Sequence, residues 1–325
     1  MKRTAAFVLS GLIAAAAIPA QAQDYPSRAI TFIVPQNPGG TTDTLGRIFA
    51  TVMAKDLGQE IVVENRTGAG STVGMQIVAD SEPDGYTIGV SSQSALAISP
   101  LAIPNVAYDP INDFAAVYNF ASVPMGVVVN AELGPKTLQE LIEYAKAHSG
   151  QVNFSSGGTG TGSHFAGAMF VSLAGIAKDV VHIPYEGGGQ ASVAAASGEV
   201  QFYVGPLAGN MMGVIDGKKV IALAVSGGKR VPAVPDVPTF AEAGLPDYTM
   251  VSWYGLVAPA GTPKEAIDRL NAAANAAAKT PEAVAALSAE GVEPIENTPD
   301  EFAAQIAKDV AGAKKLVDEG VVVLK

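Results

Sequence analysis

Apolar positions along this chain follow two rhythms. Apolar runs of strand length recur at residues 30–34, 61–63, 86–90, 126–129, 180–183, 200–204, 220–225 and 254–258. Between them lie segments whose apolar residues return every three or four positions. The clearest covers 42–57, where Leu45, Ile48, Phe49, Val52, Met53 and Leu57 share one helical face. Segments 263–278 and 299–319 read as further helices. Strands alternating with helices predict an α/β fold with parallel sheets covered on both faces.

Two extended stretches interrupt this alternation. "YDPINDFAAVYNFASVP" (108–124) leads into a new strand, and "VPAVPDVPTFAEAGLPDY" (231–248) is rich in proline. If the chain crosses between domains at both, domain I comprises 23–122 and 240–325, and domain II is an insertion over 123–239. A double crossing suits hinge closure over a ligand. Two consecutive domains are the alternative.

Residues 1–22 have a different character. Lys2 and Arg3 precede an apolar run over 5–18, and Ala20-Gln21-Ala22 ends it. This is the pattern of a secretory signal peptide cleaved after Ala22. The run is shorter than the roughly 20 residues a membrane-spanning helix needs. There is no cysteine, hence no disulfide framework and no lipid-anchoring cysteine behind the leader. The expectation is a free periplasmic monomer without membrane insertion. The net charge of −11 becomes −13 once Lys2 and Arg3 are removed. Such a surface argues against nucleic acid and anionic lipid as partners. It leaves room for an anion held by a nest of backbone N–H groups.

Four loops carry candidate chemistry. In "VPQNPGGTTDTLGRIF" (34–49) a strand feeds a helix through Gln36, Asn37, Pro38, Gly39 and Gly40. Thr41 or Thr42 is placed to cap that helix, and Asp43 sits in its first turn. The turn either aims its N–H groups at an anion or is a capped helix without a ligand. "NFSSGGTGTGSHFAG" (153–167) repeats the plan with Ser155, Gly157, Gly158, Thr159, Gly160, Ser163 and His164. It lacks the Gly-Lys-Ser/Thr of a Walker A loop and the spacing of a dinucleotide fingerprint. "PYEGGGQ" (184–190) contains Gly188, and "SSQSA" (91–95) places Ser91, Ser92 and Gln93 just past a strand. Ligands bind at strand carboxyl ends in open α/β sheets. Four such loops, split between two domains, predict a cleft.

Catalytic constellations are thin. His148, His164 and His182 have no metal-ligand spacing, and His164 reads as a loop contact before a ligand contact. No G-x-S-x-G elbow supplies a nucleophile. Glu186 and Asp43 would have to meet to act as acid and base. Glu64 and Arg66 read as structural, and Trp253 and Tyr254 as core. The expectation is a non-enzymatic protein without cofactor or metal; an exported α/β hydrolase is the rival reading.

"YPSRAITFIVPQNPGGTTDTLGR", "VVENRTGAGSTVG", "PDGYTIGVSS", "YDPINDF", "FSSGGTGTGSHFAG", "PYEGGGQ", "VPDVPTFAEAGLP" and "WYGLVAPAGTP" occur in this order over the whole chain past the leader. Together they closely resemble the Bug family of periplasmic solute-binding proteins, the receptors of tripartite tricarboxylate transporters. The resemblance implies a two-domain Venus-flytrap fold and a small carboxylate ligand (a di- or tricarboxylate, or an aromatic acid). It also implies membrane permease subunits as partners, with an orphan receptor or sensor as the alternative. Gly39, Gly40, Thr41 and Thr42 would supply donors from one domain, and Ser155, Thr159, Gly160 and Ser163 from the other. Ser91, Ser92, Gln93, Gly188 and Tyr203 would complete the wall, with Gln36, Asn37, Asp43, Gly158, His164 and Gly205 beside them. Two positions depart from the family pattern. Gln36 stands where many relatives carry an aromatic residue. Gly205 stands where many carry an acid, which disfavours an amino acid ligand and suggests room for a ring or a longer chain.

Overall fold

The computed structural model describes residues 25–323; the leader expected over 1–22 lies outside them. The described strands are β1 (Ile30–Val34), β2 (Ile61–Asn65), β3 (Thr87–Ser92), β4 (Phe114–Asn130), β5 (Val152–Ser156), β6 (Val180–Pro184), β7 (Phe202–Pro206), β8 (Val220–Val225) and β9 (Val251–Pro259). The helices are α1 (Thr41–Leu57), α2 (Thr72–Ala79), α3 (Ser99–Ala102), α4 (Leu138–Ala147), α5 (Gly162–Leu173), α6 (Gly188–Ser197), α7 (Asn210–Asp216), α8 (Lys264–Ala278), α9 (Pro281–Ala289) and α10 (Pro299–Asp318). A π-helical turn, Ser94–Ile98, runs from the end of β3 into α3.

The strands line up as β2-β1-β3-β9-β4-β7-β5-β6, with β8 also paired to β4. At each end the strands are parallel: β2, β1 and β3 on one side, β6, β5 and β7 on the other. The middle departs from the all-parallel expectation. β9 runs antiparallel to β3 and to β4, and β4 runs antiparallel to β7 and β8. A chain that crosses between two sheets in extended form enters each sheet against the grain of its βα units.

β4 is the main crossing. Its first part, through Pro124, pairs with β9, and from Met125 onward it pairs with β7 and β8. Sequence pattern exposes only 126–129 as a strand because Asn119, Ser122 and Pro124 break the apolar run upstream. Each half-sheet is covered on both faces. Phe32 packs with Phe49, Phe120 and Leu270, while its neighbour Ile33 faces Met75, Trp253 and Phe302. Likewise Phe202 packs with Phe154, Phe170 and Phe240, and Tyr203 with Ala191, Leu207 and Met211. This is period-two alternation in strands buried on both sides. Phe240, Tyr248 and Met250 belong to the Phe170–Phe202 core. The second core therefore extends past residue 239 to 250. The last turns of α10 reach the same core through Ala313, although Phe302 and Ile306 earlier in that helix serve the first sheet.

Candidate functional site

β1 ends at Val34, and the turn that follows needs Gly39 at φ +82°, a left-handed conformation that glycine takes without penalty. The first residue before α1 is Gly40, and no side chain caps the helix. The two threonines expected there are engaged elsewhere. Thr42 Oγ1 donates to Gln36 Oε1 at 2.8 Å, and the Thr41 hydroxyl lies beside the Tyr254 phenol. Among the described residues, the backbone N–H groups of Thr41, Thr42 and Asp43 meet no protein acceptor. Asp43 is buried and braces the turn. Its carboxylate accepts from Gly39 N–H (3.0 Å), Asn65 Nδ2 (2.8 Å) and Arg47 Nε (3.0 Å). Burial raises its pKa, but these donors outweigh burial and leave it below the usual carboxylate range. Among the described residues no hydrogen bond or ion pair joins it to Glu186, whose carbonyl instead accepts from Asn37, so the acid–base pair considered from sequence is not assembled in this structure.

The second loop leaves β5 and enters α5. Ser156 Oγ meets His182 Nε2 at 2.6 Å, and Gly157 N–H donates to Ser163 Oγ at 2.9 Å. Gly160 N–H donates to His164 Nδ1 at 3.2 Å. His164 is buried and stacks on His182, with ring centroids 4.0 Å apart. It therefore holds the loop's shape. Burial lowers both pKa values to about 4, and for His182 the neighbouring His164 adds to the effect. Ser156 pairs with the His182 ring. Among the described residues no carboxylate orients the ring, whose faces are taken by His164 and Phe154.

Several hydroxyls named from the sequence satisfy nearby backbone. Ser155 Oγ donates to the Ala191 carbonyl, Ser91 Oγ donates to the Gly255 carbonyl, and Ser92 Oγ accepts from Ala95 N–H. Buried polar groups seek local partners. Thr159, Asn37 and Gly188 are exposed, while Gly158 is partly covered.

The loops of the two halves meet. Gly162 N–H donates to Ser94 Oγ at 2.8 Å. Ser99 Oγ reaches the carbonyls of Gly160 (3.0 Å) and Gly70 (2.8 Å). Asn37 Nδ2 donates to the Glu186 carbonyl at 3.3 Å. The β2–α2 loop joins them: Gly68, Ala69, Gly70 and Ser71 all have positive φ, and Ser71 Oγ lies 3.5 Å from Gln36 Nε2. From the sequence only Glu64 and Arg66 stand out beside this loop, as structural, and neither Ser94 nor Ser99 does. The glycines after a strand were the available signal; the serines carried none.

Tyr203 and Tyr254 line this seam from β7 and β9. Burial raises both phenols, Tyr254 to about 12, with the Ser252 and Thr41 hydroxyls pulling Tyr254 the other way. Tyr254 is thus more than core, whereas Trp253 is core, donating Nε1–H to Asp309 at 2.7 Å. Gly205 leaves no spare room. A methyl group there would stand 2.2 Å from the Tyr203 phenol oxygen, so the chain's own ring fills the space read as available to a larger ligand.

A family model described as "Tripartite tricarboxylate transporter family receptor" matches residues 45–321. Among solved structures, the periplasmic binding protein BugD is 32% identical with a TM-score of 0.84, over 92% of this chain and 99% of its own. MatC from Rhodopseudomonas palustris, with bound malate, is 31% identical with a TM-score of 0.84, over 90% of this chain and 100% of its own. An adipate-bound protein of R. palustris is 29% identical with a TM-score of 0.86, over 92% and 99%.

Proposed function

The chain belongs to the tripartite tricarboxylate transporter receptor family, which includes the Bug-type binding proteins, and from that premise we propose that it is a periplasmic receptor for a small organic carboxylate. It captures the acid between two α/β domains and presents it to membrane permease subunits. The protein is exported after removal of residues 1–22 and acts without catalysis. By core membership the two domains comprise 25–124 with the β9 and α8 region, and 125–250, with α10 and the π-helical turn Ser94–Ile98 contributing to both cores and Ala208 reaching the first.

The observation that carries this reading is the uncapped start of α1. Three backbone donors point out of a helix N-terminus whose own threonines are turned away. A carboxylate there would gain hydrogen bonds and the helix dipole. Burying it requires several donors, and the glycine loop before α5 lies across the seam to add its own. MatC holds malate and the other R. palustris neighbour holds adipate, which supports the carboxylate class.

The test is thermal unfolding of the mature protein against di- and tricarboxylates, aromatic acids and amino acids. At a hundred times its dissociation constant a ligand adds about 2.7 kcal/mol of stability, an easily visible shift. One responding class of unaminated acids is the expected result. If no acid shifts the transition, and the unfolded protein releases none, the receptor reading fails.

A further inference from the structure

Gln93 follows β3 directly, and its neighbours fix where it stands. On one side, Ser92 is in register with Tyr254 of β9, whose phenol lies beside Thr41 at the start of α1. On the other, Ser94 accepts from Gly162 N–H in the second glycine loop. Residue 93 therefore lies between the two loops that the receptor reading makes the carboxylate site. It also opens the π-helical turn Ser94–Ile98, a local distortion that often accompanies functional sites.

Gln93 Oε1 is buried and has no hydrogen-bond partner; among the described residues it is the one buried side-chain oxygen or nitrogen so placed. Every other buried hydroxyl and amide near it is satisfied, down to Ser91, Ser92 and Ser94. A buried carbonyl oxygen without a donor is costly, and that cost is removed when a ligand brings the donor. Resting on the receptor reading, we propose that Gln93 is a specificity-determining residue: its side-chain carbonyl accepts a hydrogen bond from a hydroxyl on the bound acid, and the ligand is a hydroxylated dicarboxylate. A hydroxyl suits one neutral acceptor. An ammonium group brings three donors and a charge, and the carboxylate in the first turn of α1, Asp43, is already held by Arg47, Asn65 and Gly39. A plain diacid leaves the oxygen unpaired.

Calorimetry with two matched sets of acids tests this. Malate, succinate and aspartate share a four-carbon skeleton; 2-hydroxyadipate, adipate and 2-aminoadipate share a six-carbon one. The hydroxy acid of at least one set should bind about tenfold or more tighter than its plain and amino counterparts. Gln93→Leu should shrink that preference to within about threefold, chiefly by weakening the hydroxy acid. Gln93→Glu keeps an acceptor of the same reach, so it should retain the ratio while binding every acid less tightly. Circular dichroism confirms that each variant is folded. Equal binding of hydroxy and plain acids, a preference for the amino acid, or a preference that survives Gln93→Leu overturns the inference and leaves the receptor reading standing. Silence of both sets also overturns it; if the wider panel of carboxylates is silent too, the receptor reading falls with it.

Discussion

Tyr203 and Gly205 lie two positions apart on β7, on the same side of the pleat, and the tyrosine ring rests where a side chain at 205 would begin. The consequence is measurable. Gly205→Ala must displace the ring and should destabilise the protein by about 1–3 kcal/mol, the usual cost of overpacking. Tyr203→Phe removes the phenol oxygen that sits beside Ser163 and should cost about 1 kcal/mol. In the background of Tyr203→Ala the alanine at 205 should cost far less, because nothing is left to displace. Urea unfolding of the four proteins in that cycle reads the coupling, and additive losses would refute it. The same pair shows why the site was only partly legible. The sequence displays that residue 205 is glycine; it does not display which side chain uses the space. The hydroxyls of Ser91, Ser92 and Ser155 repeat the lesson, since a serine at a strand's carboxyl end looks like a free donor until a backbone carbonyl or N–H beside it is known.

The β5–α5 loop behaves as a unit because His164 of α5 and His182 of β6 stack on each other beside it and bond Gly160 and Ser156. Both imidazoles titrate at about 4 in the folded protein, against an ordinary value of 6.5. Below pH 6.5 the unfolded chain therefore takes up protons that the folded loop refuses. Stability should fall as pH drops from about 6.5 toward 4 and stop responding to these groups below that. The melting temperature followed across this range should show the decline. Replacing both histidines with asparagine should flatten it, and an unchanged slope in that variant would show that other groups are responsible. Elements of this kind were the most legible part of the chain. β1, β8 and α1 lie where the apolar periodicity predicts them, within a residue. The first part of β4 was not legible, because polar residues and Pro124 interrupt its apolar run. Strand direction was hidden as well: a strand buried on both faces has the same pattern whichever way it runs.

On the receptor reading, the two half-sheets part and close about the extended β4 and β9 crossings. Polar bonds across the seam join Ser94 to Gly162, Ser99 to Gly160, and Asn37 to Glu186. In an open form water satisfies the same groups, so each bond contributes only to closure. A typical intramolecular hydrogen bond is worth about 0.5–1.5 kcal/mol net. Ser94→Ala with Ser99→Ala should thus shift the closing equilibrium by about 1–3 kcal/mol toward the open form. Because the ligand must touch both halves, its apparent affinity falls by whatever closure loses. A ten- to hundredfold rise in the dissociation constant is expected if the closed form is no longer dominant. The melting temperature without ligand should change much less, since neither core loses an apolar contact. Small-angle scattering supplies the matching readout: the double variant without ligand should have the larger radius of gyration and return to the compact value only at higher ligand concentration. Equal radii, together with an unchanged dissociation constant, would mean that the seam contacts do not hold the two halves together and that closure rests on the β4 and β9 crossings alone.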